Sequence, residues 1–196
     1  MFVQFITGRA KDAQALQARF DDWTQNLKGG AHGWRGTTAG VAEDGTFVAA
    51  VRFESPEAAQ RNSDRPEQGE WWAQTEPLIE AAEFTDSADV IELLGGADPA
   101  ARFVQVMRGR VLDAAAAAEM MDGMEDGIRR TRPDVTGLLV ATHGDRFTQV
   151  VYFTDEAAAR AGESQDRPED ADMEAMARVF TDVTYVDLKA PWHAAS

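Results

Sequence analysis

The chain has 196 residues and no cysteine, which excludes disulfides, thiolate metal sites, iron–sulfur clusters and a cysteine nucleophile. Against 34 acidic residues stand 19 basic ones, a net charge of −15. That field repels a phosphate backbone, so nucleic acid is not an expected partner. The opening MFVQFITGRAKD has neither a basic n-region nor an apolar h-region, and no run reaches about 18 apolar residues. The expectation is a cytoplasmic protein with no membrane partner.

Residues 2–8 alternate and read as a strand. Asp12 suits an N-cap for a helix over 13–28, whose stripe is Leu16, Phe20, Trp23 and Leu27, with Gly29–Gly30 as its stop. Residues 34–42 and 46–54 flank Asp44–Gly45, a hairpin turn signal. Ser55–Pro56 starts a second helix, which Pro66 and Pro77 interrupt around 63–69. A strand over 83–94 closes the pattern. The second half repeats it: a strand at 102–109, a helix capped by Asp113 and running through Ala116, Met120, Met124 and Ile128, strands at 135–142 and 146–154, a broken helix from 156 to 178, and a strand at 179–188.

The two halves also share words in the same order. FVQFITGR (2–9) matches FVQVMRGR (103–110), AVRFESPEAA (50–59) matches VVYFTDEAA with one residue gapped, and SDRPE matches SQDRPE. The expected domains are therefore repeats 1–95 and 101–190, joined by a linker at 96–100. Each is a ferredoxin-like βαββαβ unit. Their strands are apolar on both faces, so one sheet face needs cover beyond the helices. The fold class expected is α+β, two tandem repeats packed sheet to sheet as an intramolecular α+β barrel. Such a chain is expected to be a monomer or at most a weak homodimer.

The first-strand words and the turns VRFESPEAA and VYFTDEAA resemble the dimeric α+β barrel superfamily, specifically the antibiotic-biosynthesis-monooxygenase-like proteins. The resemblance covers nearly the whole chain. It implies either a cofactor-independent monooxygenase or, remotely, a haem degrader. Haem-degrading members use a first-strand Asn, a Trp ending the third strand and a His on the second helix. Here those places hold Gln4 and Gln105, Phe53 and Phe153, and no histidine. The resemblance thus implies no haem, and no cofactor is expected.

His32, His143 and His193 show no ligand spacing, so no metal site is expected; His32 alone stands near a pocket rim. Gln4 and Gln105 sit mid-strand among apolar residues. Each must be satisfied by a structural hydrogen bond, a water or a ligand. Four of the five tryptophans, Trp23, Trp34, Trp71 and Trp72, lie in the first half. Adjacent Trp71 and Trp72 cannot share one helix face, so one is expected in the core and the other at a pocket mouth or an interface. The methionines of the second half read as core filling. Arg65 and Arg167 are expected to brace the broken helices by pairing with acids. The ligand-binding set expected is Gln4, Trp34, Phe53, Trp71 and Trp72, for an aromatic or polyketide-like small molecule. Catalytic residues are not assigned, and a non-catalytic binding or interaction protein of the same fold is the alternative.

Overall fold

A computed structural model describes residues 1–165 and 170–196. The chain divides into two units, Met1–Val90 with Ala190–Ser196, and Ile91–Lys189.

The first unit begins with β1 (Phe2–Ala10) and α1 (Ala13–Asp22), whose N-cap Asp12 accepts from the Ala15 amide at 2.9 Å. The expected single helix over 13–28 changes character at Trp23: Trp23–Leu27 is a π-helical turn and Lys28–Gly30 a 3-10 turn. The hairpin β2 (Trp34–Val41) and β3 (Thr46–Phe53) follows as expected. Ser55 caps α2 (Pro56–Ser63), and Pro66 opens α3 (Pro66–Thr75), because proline costs nothing at a first helical position. Arg65 holds this break together: it donates to Asn62 Oδ1 at 2.9 Å, to Glu67 at 3.0 Å and to the Leu27 carbonyl at 3.1 Å. Its counterpart Arg167 lies outside the described residues.

The strand expected over 83–94 is two strands, β4 (Ile79–Ser87) and β5 (Asp89–Leu93), which belong to different sheets. At the break Ser87 Oγ donates to the Asp89 carbonyl and accepts from its amide. The first sheet has the order β10-β2-β3-β1-β4, where β10 is the C-terminal segment Trp192–Ala195. Apart from that added edge, this is the ferredoxin-like order. Phe2, Phe47 and Phe53 are buried on the helix side, and Val3, Phe5, Val48 and Ala50 on the other face are at most 2% exposed.

The second unit contains β6 (Phe103–Val111), α4 (Ala114–Met121), α5 (Met124–Thr131), β7 (Val135–His143), β8 (Arg146–Phe153), α6 (Glu156–Gln165), α7 (Asp170–Val179) and β9 (Phe180–Leu188). Its sheet order is β5-β7-β8-β6-β9, the same plan with a different added edge. The expected helix through Met120 and Ile128 breaks at Gly123, whose φ of 73° is the left-handed conformation glycine tolerates. Met120, Met121 and Met124 are only half-buried and Met176 is 44% exposed, so these methionines do not fill the core; Met173 has no described side chain. The core is instead Phe103, Val104, Val106, Leu138, Leu139, Val150, Tyr152, Phe153 and Leu188.

Among the described residues no helix is long and apolar enough to cross a membrane, and no cluster of three or more His, Asp or Glu side chains is placed to hold a metal ion.

Candidate functional site

Between the helices and the sheet of the first unit lies a cavity of about 270 Å³. Strand parity builds its floor. Gln4 and Ile6 on β1, Thr37 and Ala39 on β2, and Phe47, Ala49, Val51 and Phe53 on β3 share one face of the sheet. The roof comes from Leu16 and Phe20 on α1, Trp23 in the π-helical turn, Asn62 and Ser63 on α2, and Gln68, Trp71, Trp72 and Thr75 on α3. Phe84 on β4 and Trp192 on β10 close two sides.

The walls are aromatic and mutually braced. Trp23 stands edge-on to Trp34 at 5.1 Å, and Trp72 edge-on to Phe84 at 5.1 Å. Trp192 packs against Phe20 at 5.9 Å and Phe47 at 6.4 Å. Polar bonds lock the roof from behind. Trp23 Nε1 donates to Gln68 Oε1 at 2.7 Å, and Trp71 Nε1 donates to the Arg19 carbonyl at 3.0 Å. Arg19 in turn lies over the Trp71 ring at 5.5 Å and donates to the Trp71 carbonyl. Gln4 Nε2 donates to Asp86 Oδ1 at 2.9 Å, which fixes the amide so that its carbonyl oxygen is left as an acceptor.

Of the five residues expected to form a site, Gln4, Phe53, Trp71 and Trp72 line the cavity. Trp34 is not among its lining residues: it is 6% exposed, stands against Trp23, and donates its indole N–H to Thr37 Oγ1 at 3.0 Å. The expected division of Trp71 and Trp72 between core and mouth is not found; both rings line the cavity, 6.3 Å apart and half-buried. His32 is exposed and is not among the lining residues. Trp192 was hidden from sequence reasoning, because four residues after a proline read as a tail. So was the π-helical turn that carries Trp23.

Among the described residues, the cavity lining includes no His, Cys, Met, Tyr or charged side chain. Haem needs an axial ligand, and this wall offers none, so the residues present do not fit haem.

The second unit differs around Gln105, the position equivalent to Gln4. Gln105 donates to Asp187 at 3.0 Å, Arg160 pairs with both Asp187 and Glu163, and the Arg160 guanidinium lies over the Phe103 ring at 5.1 Å. A charged network therefore occupies the helix side of that sheet beside Phe103.

No known family profile matches the sequence, and no curated protein matches it. Solved structures do. A protein provisionally named as a monooxygenase from Fusobacterium nucleatum superposes with a TM-score of 0.77 at 11% identity, covering 100% of this chain and 94% of that one. Another so named, from Lactobacillus acidophilus, gives 0.70 at 10% identity over 100% and 99%. An anthrone oxidase-like protein gives 0.65 at 12% identity over 99% and 92%. Identities this low establish the fold and not the activity. The chain has an α+β, ferredoxin-like fold, repeated in tandem, which it shares with these structures.

Proposed function

We propose that the first unit binds an aromatic, polyketide-like small molecule and oxidises it with molecular oxygen, without a cofactor. The observation that carries this reading is the cavity of about 270 Å³, walled by tryptophan and phenylalanine and furnished with three amides held by hydrogen bonds, Gln4, Asn62 and Gln68. An apolar pocket with a few convergent polar groups is the usual form of a small-molecule site. The similarity to an anthrone oxidase-like protein supports the substrate class.

The chemistry this wall serves is that of a carbon acid. An activated methylene flanked by aromatic rings loses a proton to solvent to give an enolate; its carbon bonds to oxygen, and the resulting peroxide takes up a proton from solvent. Loss of water then leaves a carbonyl. The methylene and one molecule of oxygen thus become a ketone and one molecule of water. The protein binds and orients: the aromatic walls hold the planar rings and exclude water. The Gln4 carbonyl accepts from a ligand hydroxyl, while Asp86 holds the amide in place. The small molecule is the proposed partner, and the working unit is a monomer or weak homodimer.

A second reading, binding without turnover, is favoured by the absence of an ionisable side chain among the lining residues. Anthrone in air-saturated buffer separates the two. Catalysis predicts stoichiometric oxygen uptake and anthraquinone formation above the uncatalysed rate. Binding with no acceleration selects the second reading, and no binding defeats both.

A further inference from the structure

Aspartate followed by glycine is a reactive pair, because the glycine nitrogen can attack the aspartate carboxyl with no Cβ in its way. The chain contains three such pairs, Asp44–Gly45, Asp122–Gly123 and Asp126–Gly127, and the fold treats them differently. In the β2–β3 hairpin the Gly45 amide donates to the Ala42 carbonyl at 2.9 Å, and Asp44 Oδ1 accepts from the Thr46 amide at 2.9 Å. In α5 the Gly127 amide donates to the Gly123 carbonyl at 3.0 Å. At the break between α4 and α5, Asp122 and Gly123 are both exposed. There, among the described residues, neither the Gly123 amide nor the Asp122 carboxyl has a hydrogen-bond partner. A Cβ on Gly123 would meet nothing within 4 Å, and neither α4 nor α5 contains a buried residue. No bond and no packing opposes the rotation that brings the Gly123 nitrogen onto the Asp122 carboxyl carbon.

We infer that Asp122 is a modification site, where the folded protein converts aspartate to isoaspartate through a cyclic imide. The Gly123 nitrogen bonds to Asp122 Cγ as the Cγ–OH bond of the protonated carboxyl breaks. That hydroxyl leaves as water with the amide proton. Water then opens the ring at one of its two carbonyls. Opening at Cγ restores aspartate. Opening at the main-chain carbonyl carbon leaves the chain running through the Asp122 Cβ, with a free α-carboxylate beside it. One water leaves and one returns, so no oxidant or other reactant is required. The product carries an extra methylene in the turn between two helices that bury no residue, so both sheet cores stay in place.

Folded wild type is held at mildly acidic pH, where part of the carboxyl is protonated. Isoaspartate is read at each pair by peptide mapping with electron-transfer fragmentation, and by methylation with a purified isoaspartyl carboxyl methyltransferase. Asp122 should convert about three- to tenfold faster than Asp44 or Asp126, the factor set by the hydrogen bonds those pairs must first break. In urea, which removes those bonds, the three rates should converge. Asp122→Glu, whose ring would need six members, should abolish the product at this position, and thermal melts establish that the variant is folded. Equal rates in the folded protein, a faster rate at Asp44 or Asp126, or no isoaspartate at Asp122 would overturn the inference. So would an advantage of Asp122 that persists unchanged in urea, because the fold would then not be its cause.

Discussion

Gln4 donates its side-chain amide to Asp86 at 2.9 Å, across the neighbouring strands β1 and β4. In the second unit Gln105 makes the same bond to Asp187, and 82 residues separate the partners in both cases. Duplication has kept the pair while its surroundings diverged: an open aromatic cavity beside Gln4, and the Arg160 network beside Gln105. Gln4→Met and Gln105→Met should each cost about 0.5–1.5 kcal/mol of stability, read by urea unfolding. Only Gln4→Met should also change affinity for a hydroxylated anthrone, whose hydroxyl the Gln4 carbonyl would accept from. Equal effects of both substitutions on binding would place the ligand outside the first-unit cavity.

The penultimate residue of each first-strand word, a glycine, has a packing reason. A Cβ on Gly8 would lie 2.5 Å from Ile79 Cγ2 and 2.7 Å from the Glu80 carbonyl; on Gly109 it would lie 2.8 Å from the Phe147 ring and 3.0 Å from the Thr181 carbonyl. In both sheets the strand register shifts at this residue, and the partner strand carries a residue of positive φ, Ala81 or Asp182. Gly8→Ala and Gly109→Ala are therefore expected to destabilise by about 1–3 kcal/mol. A melting temperature unchanged by Gly8→Ala would show that the close approach is easily relieved.

Trp23 and Trp72 both line the cavity but carry different loads. Trp23 is 7% exposed and bonded to Gln68, so Trp23→Ala should cost about 3–5 kcal/mol of stability. Trp72 is half-buried against Phe84, and Trp72→Ala should cost about 2 kcal/mol or less while weakening aromatic ligands by a further 1–3 kcal/mol or so. Denaturation and ligand titration on the two variants check the contrast. Equal stability losses would mean that Trp72 is an ordinary core ring.

Much of this architecture was legible in the chain. The caps Asp12, Ser55 and Asp113, the two hairpins and the repeated words lead directly to two βαββαβ units, because each signal is local and each recurs. The one gap introduced between AVRFESPEAA and VVYFTDEAA is unnecessary. Phe53 and Phe153 hold matching registers, and Ser55 and Asp155 each accept from the amide three residues on. What was illegible is non-local. Nothing near Asp89 says that β5 joins a different sheet from β4, and nothing near Trp192 says that it packs on Phe20. The brace between helices is another case. In the first unit Arg65, after α2, reaches back to the Leu27 carbonyl, whereas in the second Arg132, after α5, pairs with Asp134 at 2.8 Å and reaches forward to the Ala159 carbonyl. The same mechanical need is met by unrelated positions, so the repeat could not reveal it.

His143 supplies a pH dependence. Its Nδ1 is buried without a hydrogen-bond partner among the described residues. Burial, followed by the charges of Arg146 and Arg108, pushes its pKa below the ordinary histidine value, with Asp145 opposing. In the unfolded chain the ring takes up a proton at higher pH than in the folded one. Stability contributed by the neutral ring is thus complete above the ordinary value near 6.5 and is lost as pH falls below it. Chemical denaturation at pH 7.5 and pH 5.5 should show wild type losing more stability on acidification than His143→Gln. Identical pH slopes would remove His143 as the cause.

The C-terminal strand is the last test, because it ties stability and site together. β10 adds four registered residues to the edge of β2, and the Lys28 ammonium donates to the Ala195 carbonyl. Ala194 is 6% exposed, and Trp192 closes the cavity against Phe20 and Phe47. Ending the chain at Lys189 removes the ring and the strand together. It should cost about 3–5 kcal/mol, the scale of losing a large buried aromatic, and leave the cavity open on one side. Trp192→Ala keeps the strand and should lose less stability, yet suffer a similar loss of anthrone binding. Paired melts and titrations on the two variants separate these roles. If the truncated chain binds anthrone as wild type does, β10 is only an edge strand and the cavity wall lies elsewhere.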